Sequence, residues 1–236
     1  MFITSGLLTL GGAPRVAVSV SDGVARDAVD AAMTSGAGFF ELRADRFSER
    51  SPEAVLAEMR RYSGIPTLLT IRSNAEGGAW DSDETTRAHL FDRTIPHADA
   101  VDIEIGATAI RDNVIARARE HGKIVIGSFH DFAATPPLAA LRDVAAAGRA
   151  AGVDIVKVAA TCHTLDDVRS LARFTLDEAE RGVIAVGMGE HGLCTRIFFG
   201  ALGSLVTYSF LGAPTAPGQL NCEETLGYLK TFRLSG

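Results

Sequence analysis

Lys157 sits between Val156 and Val158 in an apolar run, and the chain has only two other lysines, Lys123 and Lys230, beside twenty arginines. An ammonium between two valines is desolvated, and burial lowers a lysine pKa toward the neutral amine. A neutral amine attacks carbonyls and forms Schiff bases. The other reading is a buried ion pair with Asp102 or Glu104, and the spacing leaves both open. His130 closes a second apolar run and is followed by Asp131. A histidine there is either a hydrogen-bonded core residue or a general acid and base near neutral pH. Lys157 on the next run favours the second reading, because a carbon acid beside an imine needs a base. Glu76 follows Arg72 and precedes Gly77-Gly78, where it forms a loop salt bridge or orients an imidazole and holds its tautomer. Arg43, Arg72 and Arg196 fall at the ends of apolar runs or in the loops after them. Arginine forks suit a carboxylate or vicinal hydroxyls, so three on one rim point to an anionic, polar substrate.

Such scattered residues need a scaffold that gathers them. Eight short runs have the β-branched, nearly continuous apolar character of strands buried on both faces: 15–20, 39–43, 67–71, 100–105, 123–128, 154–159, 183–188 and 204–209. Helix-like segments lie between them. Ser51-Pro52-Glu53 opens one over 52–61, Thr108 another over 108–120, Thr135-Pro136-Pro137 a third to Ala150, and Thr164 a fourth to about Glu180. Gly122, Gly152 and Gly182 each follow a helix and precede a strand. Eight βα units in 236 residues predict an α/β fold, a single-domain (β/α)8 TIM barrel over 1–236, with residues 1–14 covering the barrel bottom. A doubly wound open sheet is the alternative. In a barrel the chemistry sits at the C-terminal ends of the strands, where Glu41, Arg43, Arg72, His130, Lys157 and Arg196 all fall.

Composition narrows the function. The 47% apolar content excludes intrinsic disorder, and a net charge of -6 argues against nucleic acid or an anionic membrane as partner. Cys162, Cys194 and Cys222 form no C-x-x-C pair, so the reading is a reducing, cytoplasmic setting without a disulfide framework or zinc knuckle. The amino terminus lacks a basic n-region. Residues 197–222 carry no charge but lack the apolar continuity of a membrane span, being interrupted by Pro214, Pro217, Gln219 and Asn221. Gly187-Met188-Gly189-Glu190-His191-Gly192 matches G-x-G-x-x-G, but no Asp or Glu lies between Glu190 and Glu223 to hold a ribose, and the motif falls at the seventh unit.

Taken together the residues resemble the type I 3-dehydroquinate dehydratases, Schiff-base enzymes of the shikimate pathway. The resemblance runs from about Gly12 to Gln219 and into the terminal helix, through GAPRVAVSV, ELRADRF, TIRSNAEGG, HDFAATP, KVA and MGEHGLCTRIFFGALGSLVTY ending in APGQ, in family order and spacing. It implies Lys157 as the imine-forming lysine, His130 as the general acid and base, and Glu76 as its carboxylate partner. It implies Arg196 on the substrate carboxylate and Glu41, Arg43 and Arg72 at the hydroxyls. Ser19 and Met188 then line the pocket, while Thr215 and Gln219 belong to a closing loop. The resemblance implies a small-molecule substrate, 3-dehydroquinate, a homodimer, and no metal, nucleotide or other cofactor.

Thr215 stands where the family commonly has Ser, and so does Thr195 before Arg196. Both keep a hydroxyl. Two other functions use related parts. A class I aldolase or transaldolase would share the strand lysine but want a phosphate site after strands seven or eight. A catalytically inactive scaffold barrel would have lost the lysine, histidine or arginine, and all three remain.

Overall fold

The β-branched runs form strands in which nearly every residue is buried, which accounts for their continuous apolar pattern. The computed structural model describes residues 2–212 and 219–234. A short antiparallel pair, β1 (Phe2–Ser5) and β2 (Leu8–Gly11), precedes the main sheet. Eight parallel strands follow: β3 (Arg15–Val20), β4 (Phe39–Arg43), β5 (Thr67–Thr70), β6 (Ala100–Glu104), β7 (Ile124–Asp131), β8 (Ile155–Thr161), β9 (Val183–Met188) and β10 (Val206–Phe210). They pair in the order β10-β3-β4-β5-β6-β7-β8-β9. The Leu205 N–H donates to Val183 O at 2.9 Å and Val183 bridges Ser204, bringing the last strand back to β9. The architecture is the expected (β/α)8 barrel.

Helices α1 (Arg26–Ser35), α2 (Pro52–Arg60), α3 (Glu84–Thr94), α4 (Arg111–Glu120), α5 (Leu138–Ala151) and α6 (Leu165–Glu178) alternate with the strands. The Ser51 side chain accepts from Ala54 N, and Thr164 forms a capping box with Asp167, so both predicted starts are capped as their residue types require. Of the boundaries that differ from expectation, two have a visible cause. Helix α4 begins at Arg111 rather than Thr108, because the Thr108 N–H is tied to Gly106 O at 2.8 Å in a turn too tight for a helix. Strand β7 continues to Asp131, because its ladder with β8 persists through His130↔Ala159 and Asp131↔Ala160.

The seventh unit has only the short helices α7 (Gly189–Gly192) and α8 (Thr195–Phe198), before α9 (Cys222–Thr231). A Cβ on Gly192 would lie 2.4 Å from the Gly187 carbonyl carbon. These glycines let two backbone segments touch. Thr195 Oγ1 fixes the contact by accepting from Gly187 N at 2.8 Å and donating to Gly192 O at 2.7 Å.

Side chains alternate between two faces. Outward residues such as Val18, Phe40, Leu42, Leu69, Val101 and Val156 pack in one cluster with the helices. Inward residues at the strands' N-terminal halves, including Ala17, Phe39, Leu68, Ala100, Ile124, Ile155, Ile184 and Val206, make a second apolar cluster, joined by Leu8 and Leu10 of β2. Asp99 ties the β1–β2 turn to the barrel, accepting from Leu7 N at 3.0 Å and Thr67 N at 2.9 Å. The charged inward residues therefore sit above a dry floor. Leu10 is fully buried in that floor, so Leu10→Ala is expected to lower unfolding free energy by about 2–5 kcal/mol in a denaturant titration; a change below about 0.5 kcal/mol would show that the hairpin contributes no core.

Candidate active site

Above the floor, the same alternation turns polar residues inward. Parallel register sets Ser19 beside Glu41, Thr70 beside Asp102, Glu104 beside Ser128, and Ser128 beside Lys157. Asp102 is the hub. Its carboxylate accepts from Lys157 Nζ at 3.0 Å, Arg72 at 2.6 Å and Ser128 Oγ at 2.6 Å. Burial alone would raise its pKa, but Arg72 and Lys157 outweigh this and hold it far below the usual carboxylate range. The buried ion pair left open by the sequence is thus formed, with Asp102 as the partner. Glu41 stands 4.0 Å from Lys157 Nζ and accepts from Ser19 Oγ and, at 3.0 Å, from Thr70 Oγ1.

The network extends outward through Arg72. Its guanidinium donates to Ser128 Oγ at 2.7 Å and lies 3.1 Å from Glu104. Burial opposes the charge on Arg72, but Asp102 and Glu104 reverse the effect and raise its pKa. Glu104 in turn accepts from Ser73 N at 2.8 Å and from Arg87 at 2.9 Å and 3.0 Å. Arg87 belongs to α3, is fully buried, and donates also to Ile71 O at 3.1 Å. On the other side, Arg43 makes a two-pronged bond to Asp45 at 2.9 Å and 2.7 Å, and Asp45 accepts from Ala79 N at 3.0 Å. Arg196 is also buried, and desolvation pulls its pKa down to about 10. A buried guanidinium whose charge burial disfavours gains from an incoming anion.

His130 and Glu76 form a dyad. One carboxylate oxygen, Glu76 Oε2, lies 2.9 Å from His130 Nδ1 and accepts the His130 backbone N–H at 2.9 Å. Burial raises Glu76 to about 7, because it disfavours the carboxylate, although Arg72 opposes the shift. Burial, with the cations Arg72 and Lys157, pushes His130 well below its ordinary value. The ring is therefore neutral in both states of the dyad, and one proton leaves near neutrality. Below that point the Glu76 O–H donates to Nδ1 and Nε2 carries the ring proton. Above it Nδ1–H donates to the carboxylate and Nε2 offers a lone pair.

The Gly77-Gly78 pair makes this dyad possible. Gly77 has φ 75° and passes under Phe132, where a Cβ would meet the ring at 2.3 Å. A Cβ on Gly78 would lie 2.0 Å from Arg72 O. The loop thus packs directly on the strand end that carries Arg72. Phe132 also stacks on His130 with centroids 6.4 Å apart.

One pocket at the barrel mouth gathers Ser19, Glu41, Arg43, Arg72, Glu76, His130, Lys157, Met188, Arg196 and Gln219. Thr215 lies outside the described residues. Gln219 donates to Ser209 O at 2.9 Å, at the end of β10. The sequence reading did not single out Tyr208, whose ring lies 4.3 Å from Lys157 Nζ, or Arg87. Tyr208 follows Val206 by the two-residue period of an inward strand position, a signal that the sequence did contain. Arg87 carried no such signal, being set among the polar residues Glu84, Thr85 and Thr86.

A profile of the family described as Type I 3-dehydroquinase matches residues 16–235. A 3-dehydroquinate dehydratase of Methanosarcina mazei is 38% identical over 204 residues, covering 82% of this chain and 84% of its own. The crystal structure of the 3-dehydroquinate dehydratase from Aquifex aeolicus superposes with a TM-score of 0.83 at 32% identity, covering 92% of this chain and 98% of that one. The Geobacillus kaustophilus 3-dehydroquinate dehydratase structure gives a TM-score of 0.86 at 27% identity, covering 98% of this chain and 97% of that one.

The dyad makes a measurable prediction. The 15N resonances of the His130 ring are expected to switch tautomer as pH rises through about 7, the value to which burial raises Glu76. Glu76→Gln should abolish the switch. A transition that persists unchanged in that variant would assign the proton to another group.

Proposed function

The chain belongs to the type I 3-dehydroquinase family, and its reaction is the dehydration of 3-dehydroquinate, a hydro-lyase chemistry; from that premise we propose that the reaction runs through an imine on Lys157. The observation that carries this reading is that Lys157 lines the same pocket as the His130–Glu76 dyad and Arg196, so that its ion pair with Asp102 at 3.0 Å positions a reactive amine. Arg196 binds the substrate carboxylate, and Arg43, Arg72 and Glu41 bind its hydroxyls. Ser19 and Met188 complete the pocket, while Gln219, with Thr215, closes over the ligand.

Lys157 enters as a free amine once its proton has been passed on, and its lone pair forms a bond to the C3 carbonyl carbon. The carbonyl π electrons move to oxygen, which takes up the proton that the nitrogen sheds, giving the carbinolamine. His130 protonates that hydroxyl, water leaves, and the nitrogen lone pair forms the C=N bond of the iminium. His130 Nε2, left without its proton, takes one from C2, and the C–H electron pair flows into the iminium, producing an enamine. The enamine pushes out the C1 hydroxyl, which leaves as water with a proton from His130 Nε2, in a net syn elimination. Water returns across the C=N bond, releasing 3-dehydroshikimate and the free amine. Proximity supplies much of the rate, because Lys157, the dyad and the arginines already face one volume. The dyad contributes by general acid–base catalysis, worth about 10²–10⁴ in rate.

The aldolase and scaffold alternatives lose ground to the family assignment. Gly187-Met188-Gly189, a candidate for the aldolase's phosphate turn, has its first glycine packed against Gly192 and its N–H bonded to Thr195 Oγ1. A homodimer in the cytoplasm completes the proposal. Leu165, Leu193, Phe198, Tyr228 and Phe232 form an exposed apolar face, with Phe198 and Phe232 rings 4.9 Å apart, and an isologous pairing would bury it. Light scattering is expected to give twice the monomer mass; a monomer at micromolar concentration would remove the dimer from the proposal.

The imine is tested by intact-protein mass after incubation with 3-dehydroquinate and sodium borohydride. One reduced adduct is expected, mapped to Lys157. Lys157→Ala should lose both adduct and turnover, whereas His130→Ala should accumulate adduct while turnover falls by about 10²-fold or more. Turnover retained in Lys157→Ala would sink the Schiff-base reading.

A further inference from the structure

We propose that the π face of Tyr208 is a catalytic group of this reaction, stabilising the positive nitrogen on Lys157 through the iminium stage. The inference rests on the Schiff-base reading above. Lys157 Nζ lies 4.3 Å from the Tyr208 ring centroid, inside the range over which an aromatic face attracts a cation. Both residues are buried, so water does not dilute the attraction.

The ammonium and the iminium differ in hydrogen count. The resting ammonium has three N–H donors and is held by Asp102 at 3.0 Å, with Glu41 at 4.0 Å. The iminium keeps the positive charge but has a single N–H. That one N–H can keep the bond to Asp102 but leaves none to turn toward Glu41, while the charge remains. An aromatic face needs no hydrogen, because it attracts the charge through the ring quadrupole. Arg72 and Arg43 also place positive charge around the pocket, so a cation kept on Lys157 through the reaction depends on the groups that oppose them.

The ring acts as a neutral phenol. Burial and the carboxylates Glu41 and Asp102 push the Tyr208 hydroxyl well above its ordinary pKa. Its oxygen has no hydrogen-bond partner among the described residues, so β10, and not a tether on the hydroxyl, sets the ring's position.

The test replaces Tyr208 in the full chain with phenylalanine and then with mono-, di- and trifluorophenylalanine, which keep the shape and progressively weaken the negative face. Tyr208→Phe sets the reference. Across the fluorinated series kcat is expected to fall stepwise, by about tenfold in total, with KM changing little. Each variant should still give the borohydride adduct on Lys157. A kcat that stays flat across the series, with adduct intact, would reduce Tyr208 to a packing residue and overturn the proposal alone. No adduct in the unsubstituted chain would overturn the Schiff-base reading and this proposal together.

Discussion

Everything at the barrel mouth depends on the carboxylate of Asp102. A bare carboxylate in a water-poor interior is strongly disfavoured unless paired and hydrogen-bonded. Here one group serves Lys157, Arg72 and Ser128 at once. Arg72 then needs a second anion and has it in Glu104, which Arg87 and the Ser73 N–H complete. Each partner exists because the one before it would otherwise be unsatisfied. The geometry of Lys157 is therefore fixed by a chain of charges that ends on α3, outside the barrel wall.

Polarity along the barrel axis separates two tasks. The floor of Phe39, Leu68, Ile124, Ile155 and Ile184, with Leu8 and Leu10 from β2, excludes water and supplies hydrophobic stabilisation. The upper interior sets charged side chains among apolar ones such as Ala159, Val186, Met188 and Tyr208, and the charged ones are held in place by ion pairs and hydrogen bonds. Low local polarizability beneath the charges strengthens each interaction above it. The same dryness sets the titration of the dyad, since Glu76 rises and His130 falls chiefly through desolvation.

Much of this was legible in the sequence, for physical reasons. Lys157 and His130 stood out because charge inside an apolar strand is rare without a purpose. The eight runs read as strands because burial on both faces leaves a continuous apolar pattern. The start of α4 was misjudged at Thr108, where a local turn bond competes with the helix. The two-residue period marks Tyr208 as inward, but an aromatic in a strand ordinarily means core packing, and only the closed barrel brings its ring to Lys157. Arg87 was hidden because a charged residue near the start of a polar helix ordinarily points to solvent, and tertiary packing overrides that expectation.

The linkage of Glu104 to Arg87 has a consequence for how such a chain diverges. Arg87 neutralises a strand carboxylate from a helix that carries no other part of the pocket. Losing either member alone strands a buried charge, which is among the most damaging single changes a core can suffer. Drift at the two positions is consequently epistatic. Lineages can retain the pair or exchange it through a compensated double change, and helix α3 evolves under a constraint set by the barrel interior even though none of its residues lines the pocket.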